Sequence, residues 1–402
     1  MSEKFKREIK NSLSKFINWL DEFGELSYDR MDFWSSNAGI VTKKIFYRNK
    51  IMGAPFAALA LIQETFFPSL LKLYSQPRRE AIGDGHYAIG FLNLFEQTGN
   101  QNYLQRAENF LSALEESSCD GYNGYCWGYT FGWETPMGYW PPKTPLITIT
   151  PYGFWAFKKH YELTGSKKSL EICRSVAEFS ITDLNKSEMP NGTISTSYSP
   201  KDSGVIINAN TYRSALLMDA FSLFGNEKYK EEALENIAFV LAHQEDNGSW
   251  YYESKDKSET FIDNFHTCFV IRNLYLCYQH LGDEELLLAI KKGYRYYRDH
   301  LFRKDNTPIH FADAKYIKFR KYEMYDYAEG LKLGTLLKDD IEGSLDFSIL
   351  LAKNLITNFQ LPDGHFLTRV TSFGQKQKIP YHRWPQAQLF CSLTMLFQIL
   401  QD

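Results

Sequence analysis

The sequence lacks the features that mark membrane-spanning, secreted and nucleic-acid-binding proteins. No uninterrupted apolar run approaches the ~18 residues that a membrane-spanning helix requires, so we expect no membrane span. The polar first residues, MSEKFKREIKNSL, contain no apolar signal core, and we expect a cytoplasmic protein. A formal net charge of −3 offers no basic stripe for a phosphate backbone, so we expect no nucleic-acid partner.

Cysteine pairs and metal-binding spacings are also missing. The six cysteines lie at positions 119, 126, 173, 268, 277 and 391, and none forms a CxxC pair. This spacing predicts neither a zinc ribbon nor a disulfide framework. The histidines show no HxxxH or HxH spacing, so a metal site would need His86, His266 and His382 to converge in the fold. We therefore predict no metal and no cofactor.

Aromatic residues, by contrast, are abundant. They make up 16% of the chain, with 30 Phe, 26 Tyr and 8 Trp. Flat ring faces stack well on the C–H surfaces of sugars. The excess therefore indicates either a carbohydrate site or a large core with tyrosines at helix ends.

A short turn signature recurs along the chain. The segments are LFEQTGNQNYL (94–104), HYELTGSKKSL (160–170), AFSLFGNEKYK (220–230) and CYQHLGDEELL (277–287). In each, Gly can end one helix in the left-handed conformation, and the following Asn, Ser or Asp can cap the next helix. Such turns join two helices into an antiparallel hairpin.

The hairpins repeat with a regular spacing. Segments that are apolar around much of a helix begin near residues 86, 151, 210, 265, 326 and 383, with amphipathic segments between them. A repeat of roughly 60 residues fits an inner helix, an outer helix and one long loop. We predict an all-α fold, an (α/α)6 toroid of six helical hairpins, as a single domain over residues 1–402. The N-terminal helix, near residues 4–24, is expected to close the ring.

The predicted loops are asymmetric. Turns from inner to outer helices are short, whereas the loops back are long, at 117–147, 185–207, 245–262, 302–322 and 359–381. All the long loops should then lie at one end of the ring, above the N-termini of the inner helices. Long loops on a rigid scaffold are where function concentrates, so we expect the site in this mouth.

Several motifs resemble known toroid proteins. The turns MPNGTIS (189–195), QEDNGSW (244–250) and QLPDGHF (360–366) resemble the QW repeat of triterpene cyclases. YDRMDFW (28–34), WGYTFGW (127–133), Asn-Ala-Asn (208–210) and DNFHT (263–267) resemble toroid proteins of bacterial exopolysaccharide and lipopolysaccharide clusters, the Vps J-type family. This resemblance, over about residues 28–395, implies an α/α toroid and a role in surface-polysaccharide metabolism. The sequence contains no DxDD or DDxxD motif, so terpene-cyclase chemistry is not expected.

The loop GYNGYCWGYTFGWETPMGYW (121–140) is dense in aromatic residues. We predict that Trp127, Tyr129 and Trp133 form a wall on which sugar rings stack, with Glu134 as an acid/base. The alternative is a lid that plugs the toroid with core aromatics.

Two pairs at inner-helix starts are candidate catalytic groups. Asp263 and His266 share a helical face, and a carboxylate beside His orients one ring nitrogen for acid/base work. Asp326 and Glu329 have the same spacing, and paired carboxylates serve glycosidic cleavage. The alternatives are an N-cap with a packed histidine and a solvated acidic helix start.

Further polar residues at these helix starts are candidate substrate contacts. They are Asp84, His86, Asn208, Asn210, Arg213, His382 and Arg383. The Asn positions are also common helix caps. Arg383 could hold a carboxylate or phosphate of the ligand, or form a structural ion pair with a loop carboxylate.

These features indicate a carbohydrate-active enzyme that acts on an oligosaccharide or polysaccharide, and both neutral and acidic glycans remain open. A glycoside hydrolase and a uronate epimerase or lyase both remain open, because the fold alone does not choose the reaction. A non-catalytic glycan-binding or assembly protein is the alternative, and an isoprenoid-handling toroid is a weaker one.

Overall fold

The computed structural model describes residues 3–136, 138–254, 260–313 and 320–400. Its helices are α1 (Glu3–Phe23), α2 (Asp32–Ser35), α3 (Asn37–Arg48), α4 (Lys50–Phe66), α5 (Ala81–Thr98), α6 (Gln101–Ser117), α7 (Thr150–Thr164), α8 (Lys167–Thr182), α9 (Ile207–Phe224), α10 (Glu227–Ala242), α11 (Asn264–Leu281), α12 (Glu284–His300), α13 (Met324–Leu336), α14 (Ser344–Phe359) and α15 (Ala387–Ile399). A 3-10 turn covers Pro68–Leu73, and a π-type turn covers His382–Gln386. None of the helices in the described ranges is long and apolar enough to cross a bilayer.

The helices form a closed double ring. The inner helices α5, α7, α9, α11, α13 and α15 contact one another in this order, and α15 returns to α5. The outer helices α6, α8, α10, α12 and α14 each follow an inner helix, and α1 packs on α14 and α15. The predicted all-α toroid is confirmed, and the inner helices begin within a few residues of their predicted starts.

The recurring Gly turns have the predicted geometry. Gly99, Gly165, Gly225 and Gly282 follow inner helices with φ between +64° and +71°. The residues after them cap the outer helices, as when the Asn100 side chain accepts from the backbone N–H of Asn102 at 3.0 Å. The sequence pattern thus predicts these four hairpins locally, before any tertiary contact is considered.

The long loops all lie at the N-terminal ends of the inner helices, and they contain short antiparallel strands. These are β1 (Trp133–Thr135), β2 (Gly138–Trp140), β3 (Lys186–Glu188), β4 (Ile194–Thr196), β5 (Ile262–Asp263), β6 (Phe311–Asp313), β7 (Arg320–Glu323), β8 (Arg369–Thr371) and β9 (Lys376–Gln377). They pair as β1–β2, β3–β4, β5–β6 and β7–β8–β9. The strands stiffen the mouth without forming a separate β layer.

One of the Asp-Gly turns ties the ring shut. The Gln360 side chain donates to the carbonyls of Ser12, on α1, and of Gly364. Gly364 has φ +111°, and a side chain there would clash with the backbone carbonyl of Lys15. The close approach of this turn to α1 explains why glycine is needed at this position.

A segment outside the repeat covers part of the mouth. Helices α2, α3 and α4 precede the first inner helix, and α3 contacts β1 of the aromatic loop. The carbonyls of Glu64 and Thr65, at the end of α4, accept from the Gln377 side chain of β9. The predicted repeat does not include this segment.

Candidate functional site

A cavity of about 390 Å³ opens at the mouth of the ring. The residues that line it are Arg30, Met31, Trp34, Leu61, Glu64, Tyr129, Trp133, Phe265, His266, Arg383 and Trp384. They come from the segment before α3, from α4, from the aromatic loop and from the starts of α11 and α15. Of the predicted site residues, the fold brings His266, Arg383, Tyr129 and Trp133 to this one cavity.

Asp263 and His266 form a defined pair at the start of α11. Asp263 Oδ1 caps the helix by accepting from the His266 backbone N–H at 3.0 Å, and its Oδ2 lies 2.8 Å from His266 Nδ1. Because an ionised carboxylate only accepts hydrogen bonds, Nδ1 carries the proton and Nε2 keeps a lone pair. The His266 side chain remains 21% exposed. The pair therefore has the geometry of an oriented base, and its ring is partly exposed.

Aromatic rings surround this histidine and form the walls of the cavity. The His266 ring centroid lies 4.1 Å from that of Phe265. Trp384 stacks on Tyr325 with centroids 3.7 Å apart, which fixes the indole plane at the cavity edge. Trp133 meets Tyr129 edge to face at 5.8 Å and remains partly exposed. Such rigid, half-exposed rings suit the C–H face of a sugar.

Arg383 lies in the cavity wall, but its charge is already matched. Its Nε and Nη2 each donate to a carboxylate oxygen of Asp29 at 2.5 Å. Burial alone would raise the pKa of Asp29, yet the Arg383 guanidinium outweighs this and holds the pKa below its usual value. The structural ion pair with a loop carboxylate, one of the two alternatives for Arg383, is the arrangement found.

Arg30, on the same wall, is matched in a similar way. Its Nη1 lies 3.1 Å from Glu323 Oε2, and its Nη2 lies 3.5 Å from Glu64 Oε1. Arg369 also binds Glu64, at 2.5 Å. The two arginines that line the cavity are thus each held by carboxylates of the protein.

Trp127 does not belong to the sugar wall. It is fully buried, its Nε1 donates to the Leu114 carbonyl at 2.7 Å, and its ring packs where a Cβ on Gly153 would clash. This residue fits the alternative prediction of a core aromatic. Local sequence could not separate it from Trp133, because both occupy the same aromatic loop.

Glu134 and the pair Asp326 and Glu329 are also outside the residues that line the cavity. Glu134 lies next to Trp133 on β1, where neighbouring side chains point to opposite faces, and its Oε2 is 3.9 Å from Lys44 Nζ on α3. Asp326 Oδ2 lies 2.9 Å from His310 Nδ1. Glu329 is fully buried and accepts from Arg272 at 2.7 Å. The two carboxylates predicted to act together therefore engage different partners.

Arg213 and Asn210 hold the scaffold together. Arg213 points to the outer ring, where it donates to the Ser180 carbonyl and Asn236 and forms an ion pair with Glu232. Asn210 accepts from the backbone N–H of Thr196 at 2.8 Å and is fully buried. Both are predicted substrate contacts, and neither is among the residues that line the cavity.

His382 and His86 are buried as well. His382 Nε2 donates to the Gly24 carbonyl at 3.0 Å, so Nδ1 accepts from the Tyr87 hydroxyl at 2.7 Å. Burial lowers the pKa of His382 to about 4, which keeps the ring neutral. His86 Nδ1 donates to the Ile82 carbonyl at 2.7 Å, and burial lowers its pKa also. Neither ring is among the residues that line the cavity.

Asp84 and Asn208 complete the predicted set. Asp84 is buried and binds Arg79 Nη2 at 3.0 Å, while burial raises the pKa of its carboxyl to about 7. Asn208 lies at the start of α9 and is 2% exposed. Neither residue is among those that line the cavity.

The sequence reasoning missed the contribution of residues 30–64. Arg30 and Trp34 belong to the YDRMDFW motif, which was noted only for its resemblance, and Glu64 lies on α4. Lys43 of α3 lies beside the cavity, with Nζ 5.4 Å from the Trp133 ring centroid. Burial lowers the pKa of Lys43 to about 8, although Glu134 opposes this. The Arg and the Trp of that motif were the sequence signal that could have indicated its place at the site.

Comparisons with known proteins show the fold. No protein-family model matches the sequence, and no curated protein sequence matches it. A polysaccharide lyase is similar in structure with a TM-score of 0.59 and 14% identity, over 85% of this chain and 97% of that chain. Cellobiose 2-epimerase from Bacillus thermoamylovorans gives a TM-score of 0.61 and 13% identity, over 79% of this chain and 87% of that one.

A third similar structure is the α-1,6-mannanase GH76A from Salegentibacter. Its TM-score is 0.59 at 14% identity, with 82% of this chain and 91% of that chain covered. At such identities the likeness concerns the backbone and not the site residues. The chain has the α/α toroid fold that these lyase, epimerase and mannanase structures share.

Proposed function

We propose that the protein is an enzyme that acts on a glycan of bacterial surface-polysaccharide metabolism, with His266 as its acid/base. The observation that carries the proposal is the Asp263–His266 pair, oriented at 2.8 Å and open to an aromatic-walled cavity. The motif resemblance to the Vps J-type proteins supports the pathway. The lyase, epimerase and mannanase of similar fold support the substrate class.

The arrangement favours proton transfer over hydrolysis by paired carboxylates. Glycosidic cleavage of the common type needs two carboxyl groups that flank the bond. Glu64 is the one carboxylate among the described residues that line the cavity, and it is bound by Arg369 and Arg30. A single oriented histidine suits abstraction of a proton from a sugar carbon next to a carbonyl or carboxylate, as in epimerisation and elimination.

The charges favour a neutral sugar over an acidic one. An acidic substrate would need a cation that is not already matched. Arg383 and Arg30 are each neutralised by protein carboxylates, and Lys43, which lies beside the cavity, is not among the residues that line it. We therefore propose a sugar whose reactive proton lies beside a reducing-end carbonyl. A uronate substrate is the alternative outcome of the test below.

The isoprenoid alternative gains no support from the centre of the ring. A toroid that handles isoprenoids needs a deep apolar cavity, whereas here Arg272 binds Glu329 at 2.7 Å and the Tyr212 hydroxyl at 3.0 Å in the bore. These polar side chains are buried between the inner helices. An apolar chain in that space would lie against buried charged and polar groups and could make no hydrogen bond with them, which is unfavourable.

Solvent-deuterium exchange tests the proposal directly. A panel of neutral and uronate-containing oligosaccharides is incubated with the protein in D₂O and followed by NMR. Reversible proton abstraction, as in epimerisation, places deuterium on a sugar carbon even when the net reaction is small, and elimination gives an unsaturated sugar, whereas simple hydrolysis does neither. Exchange that His266→Gln abolishes supports the proposal; hydrolysis without carbon exchange, or exchange unaffected by His266→Gln, overturns it.

A matched control exists at the other end of the ring. His280 pairs with Asp219 at 3.1 Å and has a side chain 25% exposed, close to the 21% of His266. His280→Gln should leave the exchange rate unchanged. Binding of the same sugars without exchange or cleavage would instead indicate a non-catalytic glycan-binding protein.

A further inference from the structure

The hairpin of α3 and α4 exposes an unusual amount of apolar surface. Helix α4 reads KIMGAPFAALALIQETF and is apolar around most of its circumference. Yet Ile51 is 87% exposed, and Met52, Phe56 and Leu59 are more than half exposed. A helix of this composition is normally buried in a core or in a membrane. The described structure leaves it at the surface.

Helix α4 packs mainly on α3 and on the 3-10 turn that follows it. Gly53 is where the two helices meet, because a Cβ there would clash with the Phe46 backbone. The turn adds Phe67, Leu70 and Leu73, which are all exposed. We call this surface, from Ile51 to Leu73, the apolar patch.

A second segment extends the apolar patch. Phe373, at the turn between β8 and β9, is 65% exposed and lies 5.5 Å from Phe66 between ring centroids. The Gln375 side chain donates to the Phe66 carbonyl at 3.3 Å, which fixes the two segments together. The patch is thus built from two parts of the chain that are distant in sequence. Contiguous apolar surface of this kind marks an interaction site.

The segment that contains the patch is basic, and Arg48 and Lys50, directly before Ile51, are exposed. The basic residues of segment 37–73 are Lys43, Lys44, Arg48, Lys50 and Lys72, and its one acidic residue is Glu64. Glu64 is turned inward, where it binds Arg369 at 2.5 Å. The whole chain carries a formal charge of −3, so this cationic segment differs from the rest of the molecule.

We propose that the apolar patch docks on the surface of a bilayer that contains anionic lipids. An apolar face with a rim of Lys and Arg is the composition that inserts into the headgroup and acyl boundary. The 17-residue α4 is not a membrane-spanning helix, so the protein would lie on the bilayer and not cross it. A second copy of the chain fits less well, because a two-fold contact would bring the two basic rims together.

Docking would place the mouth cavity at the bilayer. Leu61 and Glu64, which line the cavity, belong to the same helix as Met52, Phe56 and Leu59 of the patch. The inference does not depend on the proposed glycan chemistry, since membrane association can be measured without any sugar.

Vesicle binding of the full chain tests the proposal. Sucrose-loaded vesicles of phosphatidylcholine, with and without one third phosphatidylglycerol, are sedimented with the protein. We expect binding that is strongest with phosphatidylglycerol and that falls with added salt. Leu59→Glu should weaken it by about tenfold or more, because a charge replaces an inserted apolar side chain. Leu288→Glu is the matched control, since Leu288 and Leu59 are 65% and 64% exposed.

The basic rim is tested separately. Arg48→Glu and Lys50→Glu should each weaken binding to phosphatidylglycerol vesicles by at least about fivefold. Lys228→Glu, an exposed lysine on α10, should not. Light scattering during gel filtration shows whether the protein is a monomer.

Several outcomes would overturn the proposal. They are no binding to either vesicle, equal binding by Leu59→Glu and Leu288→Glu, and a dimer that Leu59→Glu dissociates in the absence of any vesicle binding. Circular dichroism and the urea midpoint of each variant exclude loss of folding as the cause of weaker binding.

Discussion

The two ends of the ring carry similar parts and differ in how these are connected. Each end has a cavity, of about 390 Å³ at the mouth and about 500 Å³ at the opposite end, and each has an Asp–His pair. At the opposite end, Asp219 also binds Lys158 at 2.8 Å and the Trp155 indole at 2.9 Å. At the mouth, the described hydrogen bonds of the Asp263 carboxylate are with the backbone N–H and the ring of His266.

The two cavities differ in the loops that surround them, and this difference favours the mouth as the functional site. The larger cavity lies towards the ends of the inner helices, four of which are followed by short Gly turns. The smaller one lies beneath long loops and the α2–α4 segment, which add Trp133, Trp34 and Arg30 to its wall. Loops that converge on an oriented histidine are better evidence of a site than volume.

The largest effect is expected when the histidine at each end of the ring is replaced in turn. His266→Gln should lower turnover by ~10²–10⁴-fold, because general acid/base catalysis contributes about this much. His280→Gln should leave turnover unchanged. The measurement is the initial rate on whichever sugar shows exchange in D₂O. Equal losses in both variants would show that the two ends do not differ in chemistry.

A second test asks whether every histidine at the mouth is functional. In the folded protein burial lowers the pKa of His382 to about 4, whereas an unfolded histidine titrates near 6.5. The unfolded state therefore binds more protons between these values, and stability is lost as the pH falls through that window. The contribution is about 3 kcal/mol at most.

The His382→Gln variant should show a flatter dependence of unfolding free energy on pH between about 6.5 and 4, measured by urea denaturation. Buried His86 acts in the same direction, so part of the slope will remain. An unchanged slope in the variant would contradict the assignment of His382 to the scaffold.

A third test separates the two roles of Asp263. Asn also caps helices well, so Asp263→Asn should change the unfolding free energy little, whereas Asp263→Ala should cost about 1 kcal/mol. Both variants remove the carboxylate that orients His266, and both should lose most of the turnover. Full turnover in Asp263→Asn would reduce Asp263 to a helix cap.

The smallest expected effect concerns the aromatic walls. Trp133→Ala should weaken sugar binding by about 1 kcal/mol, whereas Trp155→Ala, at the opposite cavity, should not. Calorimetric titration measures both, with the melting temperature as control. Equal affinity of Trp133→Ala and the unaltered protein would remove Trp133 from the sugar-binding surface.

The fold could be predicted from sequence because its signals are local. In four hairpins, a Gly and a capping residue such as Asn100 specify the turn between the two helices within a few positions. The regular repeat of such hairpins then predicts the ring. The residues of the mouth cavity depend on tertiary contacts that a local sequence pattern cannot predict. Arg213 and Arg383 both lie near inner-helix starts. Arg213 forms an ion pair with Glu232 of the outer ring, whereas Arg383 binds Asp29 in the cavity wall.

The α2–α4 segment was missed for a related reason. It is not part of the repeat, and the apolar composition of α4 predicts a buried helix. Only the folded arrangement shows that Leu61 faces the mouth while Leu59 faces solvent.

The closure of the ring by α1 has a consequence for biosynthesis. Phe5, Ile9, Leu13, Phe16 and Leu20 form one apolar stripe of α1, and their partners lie on α14, α15 and the turn at Gln360. During N-to-C synthesis the first helix leaves the ribosome long before those partners exist. Until residues 344–399 have been synthesised, the stripe has no partner on α14 or α15, and exposed apolar surface of this kind promotes aggregation. Moving α1 behind α15 by circular permutation would turn this longest-range contact into one more local hairpin.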